Sequence, residues 1–456
     1  MNDSKKYYKL NYSQYMLFFS QKFSILKQIN TVCTSYLLKM DFDEELLKKA
    51  IRTAYQKQEV MRLRITKVNK ETVQFIADYE EPMINIADFS NKTKEEEKKY
   101  FEKIAHKNFS KYDKNMNAIY IVRSQDGYNG LALAISHISM DSFAVFAFYK
   151  LVIEYYMHYK EGTPPPADPA SYTAMLEKEL NYENTPQYQK DVEYWNEVFS
   201  RPAPTYTDVR GPFLLEKARK KDPNATYAKT FTFNPFAKHL ILKYEKELVD
   251  KMEAYRAKYG VSVQSIIAVG MAVYIMAFND SNDITMFLTY ARRATLSEKT
   301  AGGCRVHVFP HRQIFDKDGS FVKAVSESYK EQCTTMHHLH FNSLKIFELE
   351  EKKYGRPVGA QYNAINLTYQ PIRIQSPNNA KFQIMWYSNG TASQPLYPTI
   401  MDGNGTGDLH CYYEYKTKCY KPEEIRTAHD GFVKVLSIAM ENPEISLNDI
   451  IKQIKK

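Results

Sequence analysis

Between Leu131 and Tyr149 the chain reads LALAISHISMDSFAVFAFY. An apolar run from Leu131 to Ile135 stops abruptly at Ser136 and His137, a short polar turn follows, and a strongly apolar segment begins at Phe143. The preceding stretch, AIYIVRSQDGYNGLALAI, predicts two strands joined by a turn containing Asp126-Gly127 and Asn129-Gly130, pairs that accept the positive φ of a tight turn. The apolar segment downstream predicts a helix to about Tyr159. Ser139 or Asp141 caps it, and Gly162 with the Pro164-Pro165-Pro166 block ends it. His137 is thus placed at the end of a buried strand, with Asp141 in the first turn of a helix. Rigid elements on both sides fix a side chain in such a position. By itself, however, a His-x-x-x-Asp spacing more often marks a backbone-satisfied core histidine beside an ordinary helix cap.

Elsewhere the periodicity alternates between the two element types. Asp43-Glu44-Glu45 forms an acidic first turn for a helix through about Gln56, whose Leu46, Leu47, Ala50, Ile51 and Ala54 share one face. A Lys/Glu-rich stretch between Lys92 and Lys107 reads as an exposed amphipathic helix. Residues 201–226 carry Pro, Gly, Lys and Asp with little apolar periodicity, and read as a connection between two halves. Beyond it the pattern predicts a strand at Phe231–Phe233 and a helix over Ala237–Tyr259. A second, apolar helix over Val261–Ala277 opens at Ser262 or an adjacent residue, and strands follow at Asp283–Thr289 and Asp408–Tyr415. A last helix spans Pro422–Met440, with Ile425, Ala428, Phe432, Val435 and Leu436 on one face. The chain thus carries both strands and helices, and 456 residues are enough for two cores.

Composition narrows the functional classes. Charged residues at 25% and apolar residues at 44% are ordinary for a globular protein. No apolar span reaches membrane length and no signal-peptide pattern is present. The five cysteines, at 33, 304, 333, 411 and 419, lack metal-site spacing, and a reducing cytoplasm accounts for them simply. Net charge is +9 from scattered lysines, and Lys217 to Lys221 lacks the interleaved aromatics of a nucleic-acid footprint. Such a mildly basic surface suits an acidic protein partner. His337, His338 and His340 suggest a metal only superficially, because neighbouring loop side chains cannot all converge on one ion. No metal site is assigned.

Several stretches carry a resemblance to one family. His137-Ile138-Ser139-Met140-Asp141-Ser142 resembles the HHxxxDG motif of nonribosomal peptide synthetase condensation domains, and the HxxxD of the wider thioester-dependent acyltransferase superfamily. Leu10 to Phe18, with Ser13 and Gln14, is similar to the opening SxAQxRxW stretch, and Lys57 to Ile65, with Glu59 and Arg62, to RHExLRTxF. Tyr290-Ala291-Arg292-Arg293 resembles the GtPvagR strand, with Arg293 the better match to its terminal arginine and Arg292 the second. Gly302 to Arg312 looks like GxFVNTxPxR, matching at Gly303, Val306, Pro310 and Arg312 and placing His307 where the family has asparagine. Phe341 falls in the H/NQ-x-x-PF motif, and Asn366 to Gln370 resembles the strand ending in NYQ. The likeness runs, in family order, over nearly the whole chain.

The resemblance implies two chloramphenicol-acetyltransferase-like α/β subdomains forming a V-shaped pseudo-dimer with a central channel. On this reading residues 1–200 form the subdomain with the HxxxD loop, 201–226 the connection, and 227–456 the second subdomain. It implies no metal and no bound cofactor: the phosphopantetheine arm of a carrier protein, or coenzyme A, presents an acyl thioester. The implied reaction moves an acyl or aminoacyl group to an amine. His137 is the catalytic residue, as a base toward the amine or a stabiliser of the tetrahedral species. Asp141 and Arg293 support the loop, and Ser136, Ser142, His307, Tyr369 and Gln370 lie along the channel. Ser142 replaces the motif glycine, and Ser136 the first histidine. The implied partners are acyl or peptidyl carrier proteins acting in trans on a free-standing chain, together with a small amine or aminoacyl acceptor. Two alternatives share the motif: a coenzyme A-dependent O-acyltransferase, and an inactive module that recruits carrier proteins or tailoring enzymes.

Overall fold

The computed structural model describes residues 5–230, 234–357, 359–370 and 376–456. The strand predicted at Phe231–Phe233 lies outside them. Contacts divide the chain into two compact α/β units, the first built from Met1–Thr185, Ala291–Val306 and Ile372–Thr391, and the second from Pro186–Tyr290, His307–Pro371 and Ala392–Lys456. The division is interleaved, unlike the linear 1–200 and 227–456 split expected from the sequence.

The first unit is organised on a five-stranded sheet in the order Phe382–Tyr387, Thr31–Lys39, Tyr128–Ser136, Asn117–Arg123, Ile84–Asp88. Only the last pair is parallel. The strand that leads to His137 lies centrally, and from Gly130 to Ser136 every residue is buried, which explains why its sequence is a continuous apolar run. Successive side chains serve opposite faces. Ala132 and Ala134 pack in a cluster with Phe101, Ile104 and Tyr120. The helix over Lys94–Ala105 therefore buries one face, including Phe101, Ile104 and Ala105, where the sequence suggested an exposed helix. The hairpin turn is tighter than expected. Asp126 and Gly127 take its left-handed positions, with φ of 58° and 70°. Asn129 and Gly130 already belong to the strand Tyr128–Ser136. Gly130 is required there by close approach, since a Cβ would stand 2.3 Å from the carbonyl oxygen of Tyr36.

After the turn the chain enters a 20-residue helix, Ser142–Glu161, capped at its start by Asp141 and closed at Gly162 with φ of 70°. A three-stranded ribbon of Tyr8–Lys9, Glu71–Ile76 and Leu63–Val68 completes the unit and carries Gln74.

The second unit holds a six-stranded sheet in the order His307–Ile314, Asp283–Tyr290, Asn366–Gln370, Leu396–Asp402, Leu409–Lys416, Ala237–Tyr244. The single helix expected over Ala237–Tyr259 is an edge strand, Ala237–Tyr244, followed by a helix, Lys246–Tyr259. Pairing with Leu409–Lys416 along its full length decides the state of that segment, a long-range effect that local periodicity does not report. Helix Val263–Asn279, opened by a capping box at Ser262, is buried almost throughout. It packs on Pro422–Glu441 through two glycines, Gly270 against Leu436 and Gly431 against the ring of Tyr274.

The segment expected to connect the halves is part of this unit. It forms the helix Phe213–Arg219 and buries Tyr206, Val209 and Leu215. Asp208 accepts from the Tyr206 hydroxyl at 2.9 Å and pairs with Arg210 at 3.0 Å. Its apolar residues fall at irregular spacing, which is why no period was visible.

Candidate active site

The loop His137 to Asp141 is fixed by hydrogen bonds at nearly every residue. His137 N donates to the carbonyl of Asn30 at 2.6 Å. The carbonyl of Ser136 accepts from Ser139 N at 2.9 Å and from its hydroxyl at 2.7 Å. The Ser136 hydroxyl accepts from Ile138 N at 3.2 Å and lies 2.6 Å from that of Ser110. From the other side, Gln14 Nε2 reaches the carbonyl of Ile138 at 3.1 Å. Gln14 is itself held in a buried cluster, with Gln74 Oε1 at 2.8 Å and the Tyr172 hydroxyl at 3.0 Å. Ser136 is thus a turn-forming residue whose polar atoms are all engaged, and Ser142 is the first residue of the following helix, buried.

Asp141 is fully buried and uses both carboxylate oxygens. Oδ1 accepts from Ala144 N at 3.0 Å, the helix cap. Oδ2 accepts from Arg293 Nη1 at 2.7 Å and from Arg305 N at 2.9 Å. Arg293 also donates to the carbonyl of Gly303 at 2.9 Å, and its guanidinium lies 5.0 Å from the centre of the Phe143 ring. Of the two arginines suggested by sequence, Arg293 is the one that meets Asp141. Arg292 is also buried, with φ of 49°. It donates to the carbonyl of Arg305 at 2.8 Å and to Ser13 Oγ at 3.2 Å, and pairs with Glu179. Arg305 pairs with Glu298 at 3.0 Å. Each of these guanidinium groups meets a carboxylate, as burial of charge demands.

His137 keeps part of its surface open. Burial lowers the pKa of its imidazole below the usual histidine value, with the Asp141 charge offsetting part of that effect. The ring is therefore neutral near pH 7, the state in which it accepts a proton. Asp141 does not bond to it; both carboxylate oxygens point to the cap, to Arg293 and to Arg305. The side chain beside Nδ1 is Cys304, whose sulfur is 3.7 Å away.

The remaining residues predicted to line the site, His307, Tyr369 and Gln370, belong to the second unit. His307 is buried with Nδ1 3.2 Å from the carbonyl of Phe341, and Tyr369 and Gln370 end the strand Asn366–Gln370, half-buried. His338, from the histidine trio, meets Asp191 at 2.8 Å and stacks on Tyr194. Sequence reasoning assigned no role to Asn11, Gln14, Gln74, Tyr172, Glu179 or Cys304. Gln14 lay in the quoted opening motif, but its reach to the loop depends on a ribbon and a helix distant in sequence.

The condensation-domain family profile matches residues 4–452 of the chain. One component of the plipastatin synthase of Bacillus subtilis (strain 168) is 20% identical over 452 residues, covering 98% of this chain and 17% of the relative. Bacitracin synthase 3 of Bacillus licheniformis is 19% identical, covering 98% of this chain and 7% of the relative. The chain thus spans a small fraction of the length of these curated relatives. Among solved structures, a mutant starter condensation domain of rhizomide synthetase RzmA in complex with C8-CoA superposes with a TM-score of 0.80 at 14% identity, covering 97% of each chain. VibH, an NRPS condensation enzyme, superposes with a TM-score of 0.74 at 15% identity, covering 94% of this chain and 95% of its own. These structures share the fold of two acyltransferase-like α/β units. Together with the loop geometry at His137, the match over nearly its full length shows that this chain belongs to the condensation-domain family of nonribosomal peptide synthesis.

Proposed function

We propose that the chain catalyses amide formation, moving an acyl or aminoacyl group from a thioester on a carrier protein or coenzyme A to an amine, with His137 at the reacting centre. The observation that carries this reading is a neutral, partly open histidine on a loop held by the buried Asp141–Arg293 pair. The amine nitrogen attacks the thioester carbonyl carbon, a C–N bond forms, and the tetrahedral species expels the thiol as the C–S bond breaks. His137 takes the proton that the amine loses and returns it to the leaving sulfur. An amine is already a good nucleophile toward a thioester, so placement of the reactants contributes as much as base strength. The starter domain of RzmA, bound to C8-CoA, lends support to an acyl coenzyme A as one donor class. A separate carrier protein is the other, and the net charge of +9 favours an acidic one. Five free cysteines suit a reducing, cytoplasmic setting.

The test offers the purified protein acyl thioesters on coenzyme A and on a separate carrier, with mixed amines and alcohols, and reads products by mass spectrometry. Amide formation that falls by roughly 10²–10⁴-fold in His137→Ala supports the proposal. Ester product from the alcohols would transfer the assignment to O-acylation. Carrier binding with no product from either protein would favour a recruitment module.

A further inference from the structure

The six-stranded sheet of the second unit has one face that packs into the helical core, through Met286, Leu288, Leu367, Ile400 and Cys411. Side chains alternate along a strand, so the residues between these point to the opposite face. There the register sets polar groups side by side. Thr368 is the partner of Thr399, and Phe287 that of Asn366, which puts Thr289 level with Thr368. Three threonines thus form one row across three adjacent strands. Tyr397, level with Asn366, reaches into that row. Its hydroxyl lies 2.7 Å from that of Thr368, with the hydroxyls of Thr289 and Thr399 beside it. Burial holds the phenol above its ordinary pKa, so it is a neutral donor.

Asn366 is only 5% exposed, yet its Oδ1 has no hydrogen-bond partner among the described residues. A buried amide oxygen left unpaired is destabilising and calls for a bound water or ligand group. Gln370 Oε1, at the end of the same strand, is unpaired in the same way. Past Asn366 the face is closed, because Phe347 of the helix Ser343–Tyr354 packs on Phe287 with ring centres 5.7 Å apart. At the other end Thr289, Tyr397, Thr399 and Gln370 keep part of their surface open. The strand that carries Thr289 continues within a few residues to Arg293, the partner of Asp141.

Resting on the amide-forming role of His137, we infer that this polar lane receives a substrate substituent that carries hydrogen-bonding groups, a hydroxyl or an amide, in preference to a plain alkyl chain. Tyr397 and Thr368 bond along the substituent, and Asn366 Oδ1 accepts an N–H or O–H at the closed end. A hydrocarbon in the same place leaves these groups without partners, which is how a polar site rejects an apolar analogue.

The experiment uses the full chain and N-acetylcysteamine thioesters, which lack most of the phosphopantetheine arm, so that a preference reports the acyl group itself. One series compares donors of equal length with and without a hydroxyl or amide on the chain. A second compares aminoacyl acceptors with polar and alkyl side chains. Binding is read by calorimetry in the His137→Ala background, which needs no turnover, and kcat/KM in the parent. The inference expects the polar member of at least one series to bind about tenfold more tightly. Tyr397→Phe and Asn366→Leu should each shrink that preference by about threefold or more, with alkyl binding unchanged or improved. Thr368→Val, close in shape to the parent residue, serves in place of either variant that fails to fold. The series that shows the preference identifies donor or acceptor as the occupant. Equal binding of polar and alkyl members in both series, binding of neither, or a preference that the folded variants leave intact overturns the inference. A parent protein that forms no amide, while the binding preference and its loss in the variants persist, defeats the proposed function and leaves the selectivity of the lane standing.

Discussion

Asp141 carries two jobs on one carboxylate: it caps the helix Ser142–Glu161 and neutralises Arg293. Both partners are almost fully shielded from water, with side-chain exposures of 0% and 1%. Replacing Asp141 by alanine leaves a buried guanidinium without its counter-charge, and the expected loss is about 3–5 kcal/mol. Asp141→Asn retains an acceptor for Ala144 N and should lose less. Denaturant titration of both variants checks this order, and their activity should fall as well, since residues 303–305 lose an anchor. Sequence spacing identified His137 and Asp141 and narrowed the partner to two adjacent arginines. It ranked Arg293 above Arg292 by motif match but held no physical reason for that order, because the reason is the left-handed conformation at Arg292, which turns that side chain to Glu179 and Ser13. Cys304 was invisible for a related reason: it stands at an unspecified position of its motif, and only the fold brings it to the ring.

The helix pair Val263–Asn279 and Pro422–Glu441 shows the same balance at the scale of elements. Each was legible from its apolar face, its start and its length. What the pattern did not show is how closely the two approach. Gly431 has no Cβ where one would stand 2.1 Å from the Tyr274 ring, and Gly270 none where one would stand 2.6 Å from a Leu436 methyl. Gly431→Ala gains about 1 kcal/mol of intrinsic helix propensity. The overpacking it forces costs about 1–3 kcal/mol. At this separation the ring must move, and we expect a net fall in Tm on thermal unfolding. A rise would mean that Tyr274 repacks freely. The edge strand Ala237–Tyr244 is the reverse case, a segment whose local pattern passed for helix until the neighbouring strand claimed its backbone.

Across the whole molecule, buried histidines set the response to acid. His311, hydrogen-bonded to Ser328 at 2.9 Å, is held by burial down to a pKa of about 4. His137, His410 and His429 are lowered in the same direction, mainly by burial. A histidine in the unfolded chain titrates near 6.5. Between about 6.5 and about 4 the unfolded state therefore binds protons that the native state refuses, so stability is full above 6.5 and falls as pH drops through this window. For His311 alone the loss reaches about 3 kcal/mol at the acid end. His311→Gln keeps a polar group beside Ser328 and removes the titration. Its denaturation midpoint should consequently fall less steeply than that of the parent protein between pH 6.5 and pH 4.5.

The sequence by itself determined the α/β class, most of the helices, the loop bearing His137 and Asp141, and the family, because each of these is written in short-range spacing or in motifs a few residues long. The tertiary structure decided everything that depends on residues distant along the chain. It returned Ala291–Val306 and the strand Phe382–Tyr387 to the first unit, absorbed the supposed connection at 201–226 into the second, and made Ala237–Tyr244 a strand. It also placed Gln14, Arg293 and Cys304 around one loop. Hydrophobic period records which face of an element is buried. It carries no record of what buries it, and that is settled only when the elements pack.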